Sequence, residues 1–168
     1  VLNMLNVKYF ISKNDNEKIK AFINEDAQGN AWFVKDLFYL KDQNEAILAL
    51  DTLNLINSAV STKLKSKKFN VPVNAKIDLI NHTSNYLKYS SSNKEEGYAV
   101  FSEIFYSEGW KVLVNGNETV FDNVNVALRG LYLAQGDNLI ECYFSPDVVK
   151  KTSYLSLASS LLVLLLFG

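Results

Sequence analysis

The sequence has 168 residues, enough for one ordinary domain or two small ones, and its 48% hydrophobic and 12% aromatic content excludes a disordered tail. Seventeen Lys plus Arg against 18 Asp plus Glu give a formal net charge of −1, so composition offers no basis for a nucleic-acid partner. A single cysteine, Cys142, and a single histidine, His82, exclude an internal disulfide, a multi-cysteine metal site and any mechanism that needs two histidines.

In chain order, Leu5 to Ile11 (LNVKYFI) places Leu5, Val7 and Tyr9 on one face and predicts a strand. Ser12 to Lys18 is a polar turn, Ile19 to Ile23 (IKAFI) a second short strand, and Asn24 to Asn30 a loop. Ala31 to Leu40 (AWFVKDLFYL) reads as one aromatic-rich strand. Asp42 can cap a helix, Glu45 stands three residues on as in a capping box, and Ala46, Ile47, Leu50 and Leu53 form a stripe; the pattern predicts a helix near 44–53. The first third is thus mixed α/β.

From Asn57 the pattern is β throughout. KIDLINHT sets Ile77, Leu79 and Asn81 on one face, and NYLKYS alternates Tyr and Leu. Ser90 to Gly97 (SSSNKEEG) reads as a solvated loop. Tyr98 to Tyr106 (YAVFSEIFY) is the strongest strand. Val100, Ser102, Ile104 and Tyr106 point one way, and Ala99, Phe101, Glu103 and Phe105 the other. Most of both faces is apolar, as in a central strand. WKVLV and ETVF flank Asn115-Gly116, the strongest hairpin signal in the chain. VNVAL, LRGLYL and NLIECYF follow as strands, with a turn at Ala134 to Asn138. Several short strands at this spacing predict an antiparallel sandwich.

The chain opens on Val1 without a signal-peptide pattern, which suggests that it begins inside a longer protein. After Lys150-Lys151 no charge occurs from Thr152 to Gly168. As a helix these residues reach about 25 Å, slightly short of the ~30 Å hydrocarbon layer. The run reads as the start of a truncated transmembrane helix. The competing reading is a buried amphipathic helix, against which positions 161–167 are apolar all round.

No phosphate-cradling glycine loop, nucleophile elbow, zinc-protease or paired-cysteine motif is present. Cys142 lies in an alternating strand and reads as a core thiol, and His82 as a surface turn residue. No metal or cofactor is expected. Arg129 is the only arginine, in a chain whose other cations are all lysine. Glu103 is the one acid inside the strongest strand, where it must be paired, protonated or solvent-facing. Two readings stay open. Either Glu103 and Arg129 form a buried pair that fixes strand register, or they belong to a pocket for an anionic or sugar ligand with Tyr106 and Trp110 as its stacking wall.

The stretch FSEIFYSEGWKVLVNGNETVFDNVNVALRGLYLAQGDNLIECYFSP resembles the C-terminal extracytoplasmic segment of YfhO-family bacterial membrane proteins. The shared pattern is FSE-x-YY-x-x-GW, a "dG" hairpin, N-x-x-LRG, a turn of small residues and glycine, and a strand ending F-x-P. LNMLNVKYFI and GNAWFV are similar to the family's preceding segment, so the resemblance runs from Leu2 to Pro146. Phe105 stands where the pattern has its first Tyr, and Asn115 where it has Asp. The resemblance implies a polytopic parent similar to lipid-linked-sugar glycosyltransferases of the cell envelope, with catalytic carboxylates in a loop between early membrane helices outside this chain.

The expected fold is α+β: a mixed α/β subdomain over 1–56, an antiparallel β-sandwich over 57–150, and an apolar C-terminal helix over 151–168. The expected role is a non-catalytic, extracytoplasmic accessory domain at the bacterial cell membrane. Its expected partners are the remainder of the parent protein, the lipid bilayer through the C-terminal helix, and a glycan or lipid-linked sugar, with no nucleic acid. The alternative is a carbohydrate-binding or adhesive sandwich module attached to no enzyme.

Overall fold

The structure, a computed structural model, describes residues 1–13 and 18–167, with backbone alone for 147–151 and 167. In chain order the elements are β1 (Tyr9–Lys13), β2 (Ile19–Ile23), β3 (Ala31–Val34), β4 (Asp36–Tyr39), α1 (Gln43–Thr52), β5 (Ser58–Ser61), β6 (Lys67–Lys68), β7 (Lys76–Thr83), β8 (Tyr86–Asn93), β9 (Gly97–Ile104), β10 (Trp110–Val114), β11 (Asn117–Thr119), β12 (Asp122–Val124), β13 (Leu128–Leu133), β14 (Gly136–Phe144) and α2 (Asp147–Phe167). The protein is mostly β, its sheets are largely antiparallel, and it ends in a helix.

A four-stranded antiparallel sheet, β12-β13-β9-β3, is the middle layer. One of its faces presents Phe33, Ala99, Phe101, Leu131 and Leu133 to Leu87, Tyr89, Val112, Ile140 and Cys142 of the five-stranded sheet β11-β10-β14-β8-β7. Its other face packs Trp32, Val34, Tyr98, Val100, Val124 and Leu128 against Leu37, Ala46, Leu50, Ala59 and Val60. These last belong to α1 and to a small sheet of order β5-β4-β6. The two-faced apolarity of β9 follows directly: it is buried on both sides because a layer lies on both sides. β3, from the first 56 residues, is hydrogen-bonded to β9, so the first third of the chain and the remainder share this sheet.

Local chemistry explains the better-predicted elements. Asp42 accepts from the backbone N–H groups of Asn44 and Glu45 and caps α1, while the Glu45 carboxylate reaches back to the Lys41 N–H. α1 links β4 to β5, which run parallel, as a short β-α-β crossover. Asn115 and Gly116 both have positive φ, 52° and 82°, the backbone of a two-residue hairpin turn between β10 and β11.

Several expectations are corrected. AWFVKDLFYL is two strands, because at Lys35 the chain turns its N–H to Asn57 and its carbonyl to Phe69 and passes from one sheet to another. The first strand begins at Tyr9, the residues before it forming a turn held by the Leu5 and Val7 N–H groups. Of the α1 stripe, Ile47 is exposed; Ala46 and Leu50 carry the packing. VNVAL is no strand, since Asn125 and Val126 adopt positive φ and turn the chain between β12 and β13. Ser90 to Asn93 continue β8 and pair with β14. Asn81 is exposed, because a bulge after Leu79 rotates it off the inner face, and His82 lies within exposed β7 rather than in a turn. Most of the turn expected at Ser12 to Lys18 lies outside the described residues.

Every described side chain of α2 is exposed. Among the described residues no helix is long and apolar enough to cross a membrane, so the expected transmembrane helix is not supported. The physical reason is composition. Thr152, Ser153, Ser156, Ser159 and Ser160 interrupt the first half, and the unbroken apolar run from Leu161 to Phe167 is only about 10 Å of helix.

Candidate functional site

The site begins with a bulge. Leu128 is opposite Ile104, but its neighbour Arg129 is opposite Phe101, so Ser102 and Glu103 are extra residues on β9. The Ser102 hydroxyl anchors the bulge between the carbonyls of Met4, at 2.7 Å, and Gly29, at 2.8 Å. The bulge also aims the Ile104 carbonyl at Arg129, whose Nε donates to it at 3.1 Å.

Arg129 is 3% exposed. It projects with Leu131 and Leu133 into the space between the two large sheets. Its guanidinium lies 4.2 Å from the centre of the Trp110 ring and 5.5 Å from that of Phe121. Phe144 also packs on Trp110, with ring centres 5.3 Å apart, a contact fixed by the Trp110–Phe144 register of β10 and β14. Nη1 of Arg129 is buried without a hydrogen-bond partner, and the nearby Tyr89 hydroxyl is in the same condition. Burial lowers the Arg129 pKa from the ordinary arginine value, against the opposing influence of Glu103.

The expected Glu103–Arg129 ion pair is absent. Among the described residues the ion pairs are Lys67–Glu96, Lys76–Asp78 and Lys88–Glu141. The bulge displaces Glu103 from the position opposite Arg129 that simple alternation would give it, and leaves the carboxylate half-buried, near enough to act through space. The four candidate residues nevertheless converge. Glu103, Tyr106, Trp110 and Arg129 line one depression of about 400 Å³ together with Ser84, Asn85, Ile104 and Phe144. Tyr106, Trp110 and Arg129 also line an adjoining one of about 230 Å³ with Phe105, Ser107, Val120 and Phe121. Trp110 is not the open stacking wall expected of it, because Arg129 and Phe144 flank its ring; Tyr106, 56% exposed, is the free aromatic. Sequence reasoning missed Phe121 and Phe144, which carry no signal of their own and become partners only through strand register.

Gly130 belongs to the same construction. A methyl group there would collide with the Tyr98 ring and hydroxyl, and that hydroxyl donates to Asp122 at 3.0 Å. Asn125 receives the Val60 N–H on Oδ1 and gives its own N–H to the Val60 carbonyl, joining the middle sheet to β5. At the end of β14, Gly109 has φ 86° and Pro146 packs against its Cα, with Ser145 N–H donating to the Gly109 carbonyl.

The outer face of the five-stranded sheet carries a separate polar surface. Glu141 accepts from Tyr86 at 2.6 Å and Tyr143 at 3.2 Å, and the two rings lie 4.8 Å apart. The Tyr86 bond holds the Glu141 carboxyl below its usual value. A groove of about 340 Å³ continues the face past Lys76, Asp78, Ser90, Ser92 and Asp137.

Nothing in either place assembles a nucleophile with a base. Burial pushes the Cys142 thiol up to about 12, so it is no thiolate at neutral pH. Among the described residues no cluster of His, Cys, Asp and Glu is suited to a metal ion.

Residues 43–156, more than half of the chain, match a family model described as bacterial membrane protein YfhO. No curated protein and no solved structure matches the chain.

Proposed function

Because the chain belongs to the YfhO family of bacterial membrane proteins, we propose that its layered β domain is a non-catalytic accessory domain, held on the extracytoplasmic side of a membrane protein similar to lipid-linked-sugar glycosyltransferases. One observation carries the accessory role: among the described residues the only buried charge is Arg129, and the thiol that acts on it through space, Cys142, is enclosed and held protonated by burial. α2 contributes a row of exposed leucines, 53% to 86% accessible from Leu161 to Leu166, that supports contact with lipid. β1 and β2 support contact with the remainder of the parent protein. They form an isolated hairpin, with Tyr9, Ile11, Ile19, Phe22 and Ile23 all exposed.

Flotation tests this reading. The chain should rise with liposomes in a density gradient, and a version ending at Pro146 should stay at the bottom while keeping its thermal midpoint. The second half of that expectation follows from the exposure of every described side chain of α2, Thr152 to Leu166. A truncated chain that unfolds, or one that still floats, overturns the assignment of lipid contact to α2. Donor-dependent glycosyl transfer by the purified chain, above a denatured control, would overturn the non-catalytic reading.

A second reading, a carbohydrate-binding module, draws on the Tyr86–Tyr143 pair with Glu141 and the neighbouring groove. Paired rings and a fixed carboxylate suit the apolar face and hydroxyls of a sugar. Loss of glycan retention in Tyr143→Ala, with Tyr106→Ala unaffected, would favour it.

A further inference from the structure

The geometry points to the Arg129 corner as a binding site for a singly charged phosphate ester at the base of α2. Arg129 is buried, has a bond on Nε alone to Ile104, and leaves Nη1 without a partner. Among the described side chains no carboxylate lies within ion-pair distance to neutralise it. Buried cations are ordinarily compensated, and a guanidinium matches two oxygens of a phosphate in one plane. Arg129 lines both depressions, and Ser107, Asn85 and Tyr106 at their edges offer hydroxyl and amide donors to the remaining oxygens.

Charge selects the ester. Glu103 lines the larger depression and opposes a second negative charge there. A diester, which carries one charge, fits this balance better than a doubly ionised monoester. Position selects the source. Phe144 borders the depression, Pro146 packs on Gly109 beside Trp110, and α2 begins at the next residue, Asp147. A ligand held by Arg129 therefore sits where the exposed helix leaves the domain, at the level of a lipid headgroup. The location rests on the proposed lipid contact of α2; the chemistry of the site does not.

The single arginine makes the test direct, because the chain has one Nε–H resonance of this kind. Dimethyl phosphate is titrated into the ¹⁵N-labelled chain in neutral-detergent micelles. The Arg129 Nε–H and Trp110 indole signals should shift saturably. The Trp32 indole, bonded to the Leu55 carbonyl in the other core, should stay still. Glu103→Gln should tighten the midpoint by roughly threefold, as expected for removal of one opposing charge near the surface. Arg129→Lys should weaken it at least tenfold, and if that variant does not fold, Glu103→Gln and the direct shifts still decide. No shift, a shift equalled by sodium chloride at the same ionic strength, or one equalled by glucuronate overturns the assignment to a phosphate ester. Bicelles separate the sources. A shift induced by phosphatidylglycerol assigns the lipid headgroup, and a response to dimethyl phosphate alone assigns a soluble ester and removes the headgroup. Failure of flotation leaves the dimethyl phosphate result intact, so the two readings fail separately.

Discussion

Arg129 shows how a residue's rarity can be legible while its geometry is not. Depletion of arginine marks the position, and its apolar neighbours Leu128 and Leu131 announce burial. Of the two readings the sequence left open, the Glu103–Arg129 ion pair does not form, because a two-residue bulge, invisible in the sequence pattern, displaces Glu103. The consequence for stability is specific. With no ion pair to Arg129 among the described residues, removing the charge strands none of their carboxylates, so Arg129→Met should cost under about 1.5 kcal/mol, mostly the cation–π and hydrogen-bond contributions. Arg129→Ala also opens a cavity against Trp110 and Phe121 and should cost ~2–4 kcal/mol. Urea midpoints measure both, and a Met variant as damaged as the Ala variant would reveal a hidden counter-charge. Asp122 offers a pH test. Burial raises its carboxyl pKa, with the Tyr98 bond and Lys63 pulling the other way. A folded value above the unfolded one, about 3.9, stabilises the native state fully below that value, and the gain is lost as pH rises through the folded value. Asp122→Asn keeps an acceptor for Tyr98 and lacks the titration. Wild-type stability measured against this variant should therefore decline as pH rises above about 4; a flat difference contradicts the raised carboxyl.

At the scale of elements, two glycines separate the two reasons for being glycine. Gly116 has positive φ and open space around it, so Gly116→Ala pays only backbone strain, ~1–2 kcal/mol, and keeps the hairpin. Gly130 sits in an ordinary strand conformation beneath Tyr98, so Gly130→Ala must displace that ring and break its bond to Asp122. It should cost more than Gly116→Ala, by ~1–3 kcal/mol as overpacking does, and differential scanning calorimetry on the two variants checks the order. The sequence reveals the first case through the Asn-Gly signature, which is local. The second depends on β9 crossing β13 in one register, and registry between strands some thirty residues apart leaves no local trace. The same contrast holds for α1, whose cap is written in four residues, and for β3 and β4, whose separation at Lys35 is made by bonds to Asn57 and Phe69.

Over the whole molecule, the apolar faces of β9 foretold a central strand, and the central sheet is what they describe. What alternation could not supply is the order of strands. The five-stranded sheet brings β10 and β8 to opposite sides of β14, and the middle sheet recruits β3 from the beginning of the chain. The candidate site inherits this. Glu103, Tyr106 and Trp110 are neighbours in sequence, but Arg129, Phe121 and Phe144 reach them only through long-range pairing.

Cys142 lies at the middle of that assembly, fully enclosed between the two large sheets, and it is the chain's one thiol. It makes the protein its own clock. A disulfide reagent reaches the sulfur only when the sheets part, so the rate of labelling reports how often the assembly opens, one event per molecule, without an introduced probe. In mild urea the labelling rate should rise as the opening free energy falls, and Gly130→Ala should speed it while truncation at Pro146 should not. Labelling that is fast and indifferent to both changes would mean that the space between the sheets opens by a route that leaves the rest of the fold standing.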